Sequence, residues 1–226
     1  VRVIRVVIVE DHISYAQALG AVIDLTDDVD VVGATASASD APAIIARLEP
    51  DIAIVDLDLP GGSGIDVIDG VRRERPAARC VVLTALTDHA ELGRAVEAGA
   101  AAVLHKSVDV TELLDVVRRV AAGQTVLDAG PTSAWLRTLA AERERGWLAR
   151  TIDGSLTPRE RQILQLLSTG QPGPAIASQL GISQDTVQTH VRNLLGKLGV
   201  GTRLEAVAFA QRLGLVSRTA PRGRDR

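Results

Sequence analysis

The sequence predicts a doubly wound α/β domain built on a five-stranded parallel sheet, followed by a small all-helical domain. Three observations predict it. Five short apolar runs alternate with five amphipathic stretches within residues 1–122, and such alternation calls for crossover connections and parallel strands. From residue 156 the apolar periodicity is helical only. The charge also changes sign along the chain. Residues 1–130 carry 11 Lys and Arg against 21 Asp and Glu, residues 131–154 carry 4 against 3, and residues 155–226 carry 10 against 4. An acidic front and a basic end, hidden inside a net charge of −3, indicate two modules with different partners.

The elements follow in order. Residues 3–9 (VIRVVIV) are β-branched and continuous, as in a strand buried on both faces. Residues 14–25 place Ala18, Leu19, Val22, Ile23 and Leu25 at helical spacing. Then come a strand at 29–35, a helix near 39–48, a strand at 51–57 and a helix near 64–74. A strand at 79–85, a helix near 88–98, a strand at 101–105 and a helix near 109–122 complete the set. A sheet of this kind opens a crevice at the carboxyl ends of its strands.

Residues 124–154 break the alternation with Gly130-Pro131 and a mixed helical stretch, 132–150, that holds Trp135, Trp147 and the cluster Glu142-Arg143-Glu144-Arg145. They read as a linker containing a helix. Thr157-Pro158-Arg159-Glu160 has a hydroxyl cap, a proline at the first helical position and a glutamate to close a capping box. That helix runs to Gly170. A short helix follows near 174–180, a longer one from the Ser183 cap to about Leu198, and a last one from Thr202 to about Leu213. The expected domains are therefore 1–123, a linker at 124–154, a helical domain at 155–217, and a frayed basic tail at 218–226.

Composition excludes several classes. A hydrophobic fraction of 46% with 23% charge fits a globular protein with a real core, not a disordered chain. No apolar run approaches the ~20 residues that cross a bilayer. The N-terminus reads as a strand ending in acids, not as a secretory leader. Cys80, the only cysteine, lies inside an apolar strand and is expected to be an inert core thiol. Without an internal disulfide, a reducing cytoplasm is the expected location. Only Lys106 and Lys197 are lysines, against 23 arginines. A compact ammonium does different work from a planar guanidinium, so both draw attention.

Five side chains fall at predicted carboxyl ends of strands: Glu10 and Asp11 after the first, Asp56 at the third, Thr84 at the fourth and Lys106 at the fifth. Three carboxylates on one rim repel each other unless a hard cation joins them, and magnesium, which takes oxygen ligands and keeps several waters, suits such a set. A carboxylate beside bound magnesium can accept a phosphoryl group. Pro60 and Gly61-Gly62-Ser63-Gly64 form a turn that exposes the third strand's end. His12 reads as a local hydrogen-bonding residue rather than a ligand.

This ordered set resembles the receiver domain of two-component response regulators, with its flavodoxin-like fold, over about residues 1–123. The resemblance implies that Asp56 is the phosphoacceptor and that Glu10, Asp11, Asp56 and the Asp58 carbonyl hold Mg2+. It also implies that Thr84 is the switch hydroxyl and that Lys106 contacts the phosphoryl group. One departure stands out: where many receivers have an aromatic residue three positions before the lysine, this chain has Val103. Asp56-x-Asp58 also looks like the aspartate pair of haloacid-dehalogenase-type phosphohydrolases, but those enzymes carry the pair on the first strand.

In the basic end, Val187, Val191, Leu194, Leu195 and Leu198 fall on one stripe of the 183–198 helix, while Gln188, Thr189, Arg192 and Asn193 fall on the other. The polar types are those that hydrogen-bond base edges or phosphates in a major groove. The segment LTPRERQILQLL…AIASQLGIS…TVQTHVRNLLGKLGVGTRLEAV closely resembles the LuxR-type (NarL/FixJ-like) helix-turn-helix domain over about 155–217. The resemblance implies that Gln188, Thr189 and Arg192 read the groove, that Lys197 contacts the DNA backbone and that the last helix serves dimerisation. The lead-in Gln171-Pro172-Gly173-Pro174 departs from the family's polar cap. Together the two resemblances imply a DNA-binding response regulator, not an enzyme. Its partners are a sensor histidine kinase and double-stranded DNA, with no membrane, and it forms a homodimer on activation. The competing reading is a transcription factor indifferent to phosphorylation.

Overall fold

In a computed structural model of the chain, which describes residues 2–75 and 77–217, five strands form the sheet: β1 (Ile4–Val9), β2 (Val29–Thr35), β3 (Ile52–Val55), β6 (Arg79–Thr84) and β7 (Ala100–His105). The order is β2-β1-β3-β6-β7 and every pairing is parallel. A two-residue hairpin, β4 (Asp58–Leu59) with β5 (Gly62–Ser63), lies between β3 and the next helix. The predicted doubly wound sheet is present.

The crossovers are α1 (Ile13–Ile23), α2 (Ala41–Leu48), α3 (Gly64–Glu74), α4 (His89–Ala98) and α5 (Val110–Ala121). The strands' period of two divides the core. Val7, Val9, Ala53, Val55, Cys80 and Val82 face one way, with residues of α2, α3 and α4. Val6, Ile8, Ile52, Ile54, Val81 and Leu83 face the other, with residues of α1 and α5. On α5, Leu113, Leu114, Val116, Val117 and Val120 are all buried, each contributing roughly 1.5–3 kcal/mol relative to exposure. On α1 only Leu19 and Ile23 are buried, while Val22 and Leu25 are exposed. Leu25 lies past the helix end, so its helical spacing places it on no face of α1.

The linker stretch is one helix, α6 (Ala129–Ser155). Pro131 does not interrupt it, because the first helical turn has amides without intrahelical partners. The chain divides into two compact units between Ala140 and Ala141, within the range of this helix. In the first unit Trp135 packs against the core that holds α4, and Leu139 is buried.

The second unit contains α7 (Pro158–Ser168), α8 (Gly173–Leu180), α9 (Gln184–Leu198) and α10 (Arg203–Arg212). Ile163, Leu164, Ile176, Val187, Val191, Leu194, Ala206 and Ala210 form its core, joined by Ile152 and Leu156. The predicted capping box at Thr157 and Glu160 is formed. At α8 the cap position is Pro172, with no side-chain hydrogen bond, as the unusual lead-in implied. The predicted basic tail, 218–226, lies outside the described residues. Among the described residues no helix is long and apolar enough to cross a membrane.

Candidate functional site

The carboxyl ends of β1, β3, β6 and β7 bring together the sequence's candidates on the first unit. The Glu10 amide donates to the Thr35 carbonyl and the Asp56 amide to the Val9 carbonyl, both at 2.9 Å, so the sheet ladder itself fixes both acids. Their side chains are almost fully buried. Between them sits Lys106, whose Nζ is 2.6 Å from Glu10 Oε2 and 2.7 Å from Asp56 Oδ2. Burial works against the ammonium's charge, but the bonds to Asp56 and Glu10 outweigh it and raise the Lys106 pKa.

The free Asp56 oxygen, Oδ1, accepts the Leu57 amide at 2.7 Å. Glu10 Oε1 accepts the His12 amide at 3.0 Å and meets His12 Nδ1 at the same distance. His12 is largely exposed, and its pKa is raised by the bond to Glu10 and then by the charge of Asp11. Its Nδ1 also lies 2.7 Å from Asp11 Oδ1, an ionic contact without hydrogen-bond alignment. That buried Asp11 oxygen therefore has no hydrogen-bond partner. Ligand atoms of Glu10, Asp11, His12 and Asp56 all lie within 4.8 Å of one another. A carboxylate oxygen met only by the exposed His12 ring, among converging acids, fits a hard divalent cation, so the residues present suit magnesium. Asp58 is exposed, and its backbone is held in the hairpin opposite Ser63.

Thr84 is 1% exposed, and its hydroxyl accepts the Leu86 amide at 3.2 Å. The Thr84 carbonyl receives the Lys106 amide at 2.9 Å, so one backbone hydrogen bond joins the two residues. Sequence reasoning missed Tyr15. Its ring centroid is 5.1 Å from Lys106 Nζ and its hydroxyl donates to the Lys106 carbonyl at 3.4 Å. The available signal was its place on α1, four residues after Asp11.

On the second unit, α9 presents Gln188, Thr189, Arg192 and Asn193 to solvent and buries Val187, Val191, Leu194 and Leu198, with Leu195 half-buried. The Thr189 hydroxyl donates to the Asp185 carbonyl, which leaves its lone pairs outward. Lys197 is placed differently from its neighbours. Its Nζ is 2.7 Å from the buried Glu160 carboxylate and 2.8 Å from the Ser155 carbonyl. Burial alone pushes Glu160 up, but the bond from Lys197 and the Thr157 amide outweigh it, and its pKa is lowered. A carboxyl with a depressed folded pKa stabilises above its unfolded value of about 4.3 and loses that contribution as pH falls through the folded one. The second unit's melting temperature is thus expected to drop in acid below pH ~4. Glu160→Gln flattens that drop, and a thermal scan at several pH values reads it.

The chain is a response regulator, with a receiver domain and a LuxR-type DNA-binding domain. Residues 6–118 match the family described as the response regulator receiver domain, and residues 154–210 match bacterial regulatory proteins of the luxR family. Among curated proteins it is similar to the transcriptional regulatory protein MctR of Rhizobium johnstonii, at 34% identity over 95% of this chain and 96% of that one. It is 32% identical to the DNA-binding transcriptional activator DevR/DosR of Mycobacterium tuberculosis, over 93% and 95%. Among solved structures it resembles the response regulator ChrA of a heme-sensing two-component system, with a TM-score of 0.55 and 28% identity over 95% of this chain and all of that one.

Proposed function

We propose that Asp56 accepts a phosphoryl group from a sensor histidine kinase and that this modification controls DNA binding by residues 155–217 and the transcription that follows. The observation that carries the reading is the buried triad of Glu10, Asp56 and Lys106 beside an Asp11 oxygen with no hydrogen-bond partner. In the transfer an Asp56 oxygen forms a bond to phosphorus. The bond from phosphorus to the donor's histidine nitrogen breaks, and its electron pair stays on the imidazole. Glu10, Asp11, Asp56 and the Asp58 carbonyl would hold Mg2+, which would supply neutralisation of charge on the transferring oxygens. Lys106 exchanges its Asp56 contact for a phosphoryl oxygen, and Thr84 donates its hydroxyl to another. The group adds roughly −1.5 to −2 charges, enough to bias a two-state domain.

In this reading the receiver spans 1–123 and the linker 124–154, and the chain works in the cytoplasm as a homodimer when phosphorylated. Gln188, Thr189 and Arg192 on the open face of α9 meet the DNA. Lys197, already bound to Glu160, anchors α9 against α7 and reaches the DNA backbone only by releasing that carboxylate. The chain acts as a regulator, not a turnover enzyme.

Genomic DNA bound by the full chain, mapped with and without magnesium and beryllofluoride, tests the reading. Mass spectrometry after treatment with a phosphoryl donor locates the label. Wild type is expected to gain occupancy by about tenfold, a shift of ~1.4 kcal/mol, while Asp56→Ala gains none and Arg192→Ala binds poorly throughout. Equal occupancy with and without beryllofluoride supports the phosphorylation-independent factor instead.

A further inference from the structure

We propose that the face made by α4 and β7 is the seat of the linker helix, with Trp135 as its contact residue, and that phosphorylation at Asp56 loosens that seat through Thr84. The inference rests on the reading of Asp56 given above. Two observations place the helix on the seat. Gly93 of α4 is buried, and a Cβ there would lie 2.9 Å from the Trp135 carbonyl oxygen and 3.3 Å from Leu139 Cβ. The two helices therefore touch backbone to backbone, with no room for even a methyl group. Trp135 and Val103 both pack against the same core as α4.

A third observation ties the seat to the acidic site. A cavity of about 200 Å3 is lined by Thr84, Leu86, Leu92, Val103 and Trp135, among others. Val103 is too small to fill it, so one wall is the buried switch hydroxyl's residue and another is the linker indole. The Thr84 hydroxyl now accepts the Leu86 amide. Turning it toward a phosphoryl group on the neighbouring strand's end breaks that bond and frees the segment leading into α4. The cavity gives Thr84 and Leu86 room to move, whereas the Gly93 contact has none. Packed elements in this situation shift as units rather than deform smoothly. A small displacement of α4 therefore unseats Trp135.

The full chain carrying Trp147→Phe tests this, because Trp147 is 61% exposed, belongs to the second unit and is the only other tryptophan. Emission and acrylamide quenching then report Trp135 alone. Modification of Asp56 by a phosphoryl donor with magnesium is followed in parallel by intact mass. The expected result is a red shift and a rise of about threefold in the quenching constant in step with labelling, as a docked population becomes largely undocked. Adding Thr84→Ala should keep the label and abolish the shift. Adding Gly93→Ala should produce the shift without any label, with far-ultraviolet dichroism confirming the fold. A labelled Asp56 with unchanged Trp135 emission overturns the inference and leaves the phosphoacceptor reading standing. A chain that never labels at Asp56 removes that reading and this inference with it.

Discussion

Gly64→Ala is expected to destabilise the first unit by about 1–3 kcal/mol or more and to suppress labelling of Asp56 more than tenfold. Gly64 opens α3 directly behind the acidic strand end, and its amide donates to the Leu57 carbonyl at 3.1 Å. An added Cβ would collide with the Asp56 carbonyl oxygen and come within 2.8 Å of Asp56 carbon and Leu57 Cα. All three are backbone atoms, so no side chain can swing aside. The chain must shift at the residue whose carboxylate is held by the Leu57 amide and Lys106. Gly70, six residues further along α3, has nothing within 4 Å of the corresponding position. Gly70→Ala is the control, expected to stabilise by roughly 0.5–1 kcal/mol. Urea unfolding and intact-mass labelling distinguish the two.

Lys106→Met is expected to cost about 3–5 kcal/mol when divalent cations are chelated, because it leaves Asp56 buried with no counter-charge and Glu10 with only the exposed His12 ring. Magnesium should restore much of that loss, and should raise the variant's melting temperature more than it raises wild type's. In wild type an ammonium competes for the same oxygens; in the variant nothing does. The ammonium's own contribution is complete below its unfolded pKa of about 10.4 and is lost only as pH rises through the raised folded value. The wild-type triad is thus insensitive to pH across the neutral range on the lysine's account. A variant that melts like wild type in chelator would show that the acids do not need the lysine.

The strands and crossover helices were legible because a doubly buried strand leaves a continuous β-branched run and a surface helix leaves a stripe. The hairpin at 58–59 and 62–63 left no such mark, since a two-residue ladder has no period to detect. The full length of α6 was hidden by Gly130-Pro131, which reads as a break but sits where a helix tolerates it. Val22 keeps the helical spacing of Leu19 and Ile23 yet is exposed, because helical spacing defines a stripe without saying how far the covered face extends.

At the site, the convergence of Glu10, Asp11, Asp56, Thr84 and Lys106 on one rim followed from their places at the carboxyl ends of parallel strands. The partners they choose did not. Nothing local in the sequence pairs Lys106 with Tyr15, or Lys197 with Glu160 across 37 positions. Such contacts depend on side-chain reach once the backbone is folded, and a long ammonium stem can reach several acceptors. The Trp135 contact was equally hidden, because it needs a glycine on another helix to admit it.

Cys80 is the second residue of β6, 3% exposed, and burial pushes its thiol up to about 12. An alkylating reagent meets it only when the packing around it opens, so the rate of its modification clocks the breathing of that side of the receiver's interior. The same shielding leaves the surface free of competing thiols, and a cysteine engineered at any exposed position becomes a unique handle for a spin label or dye.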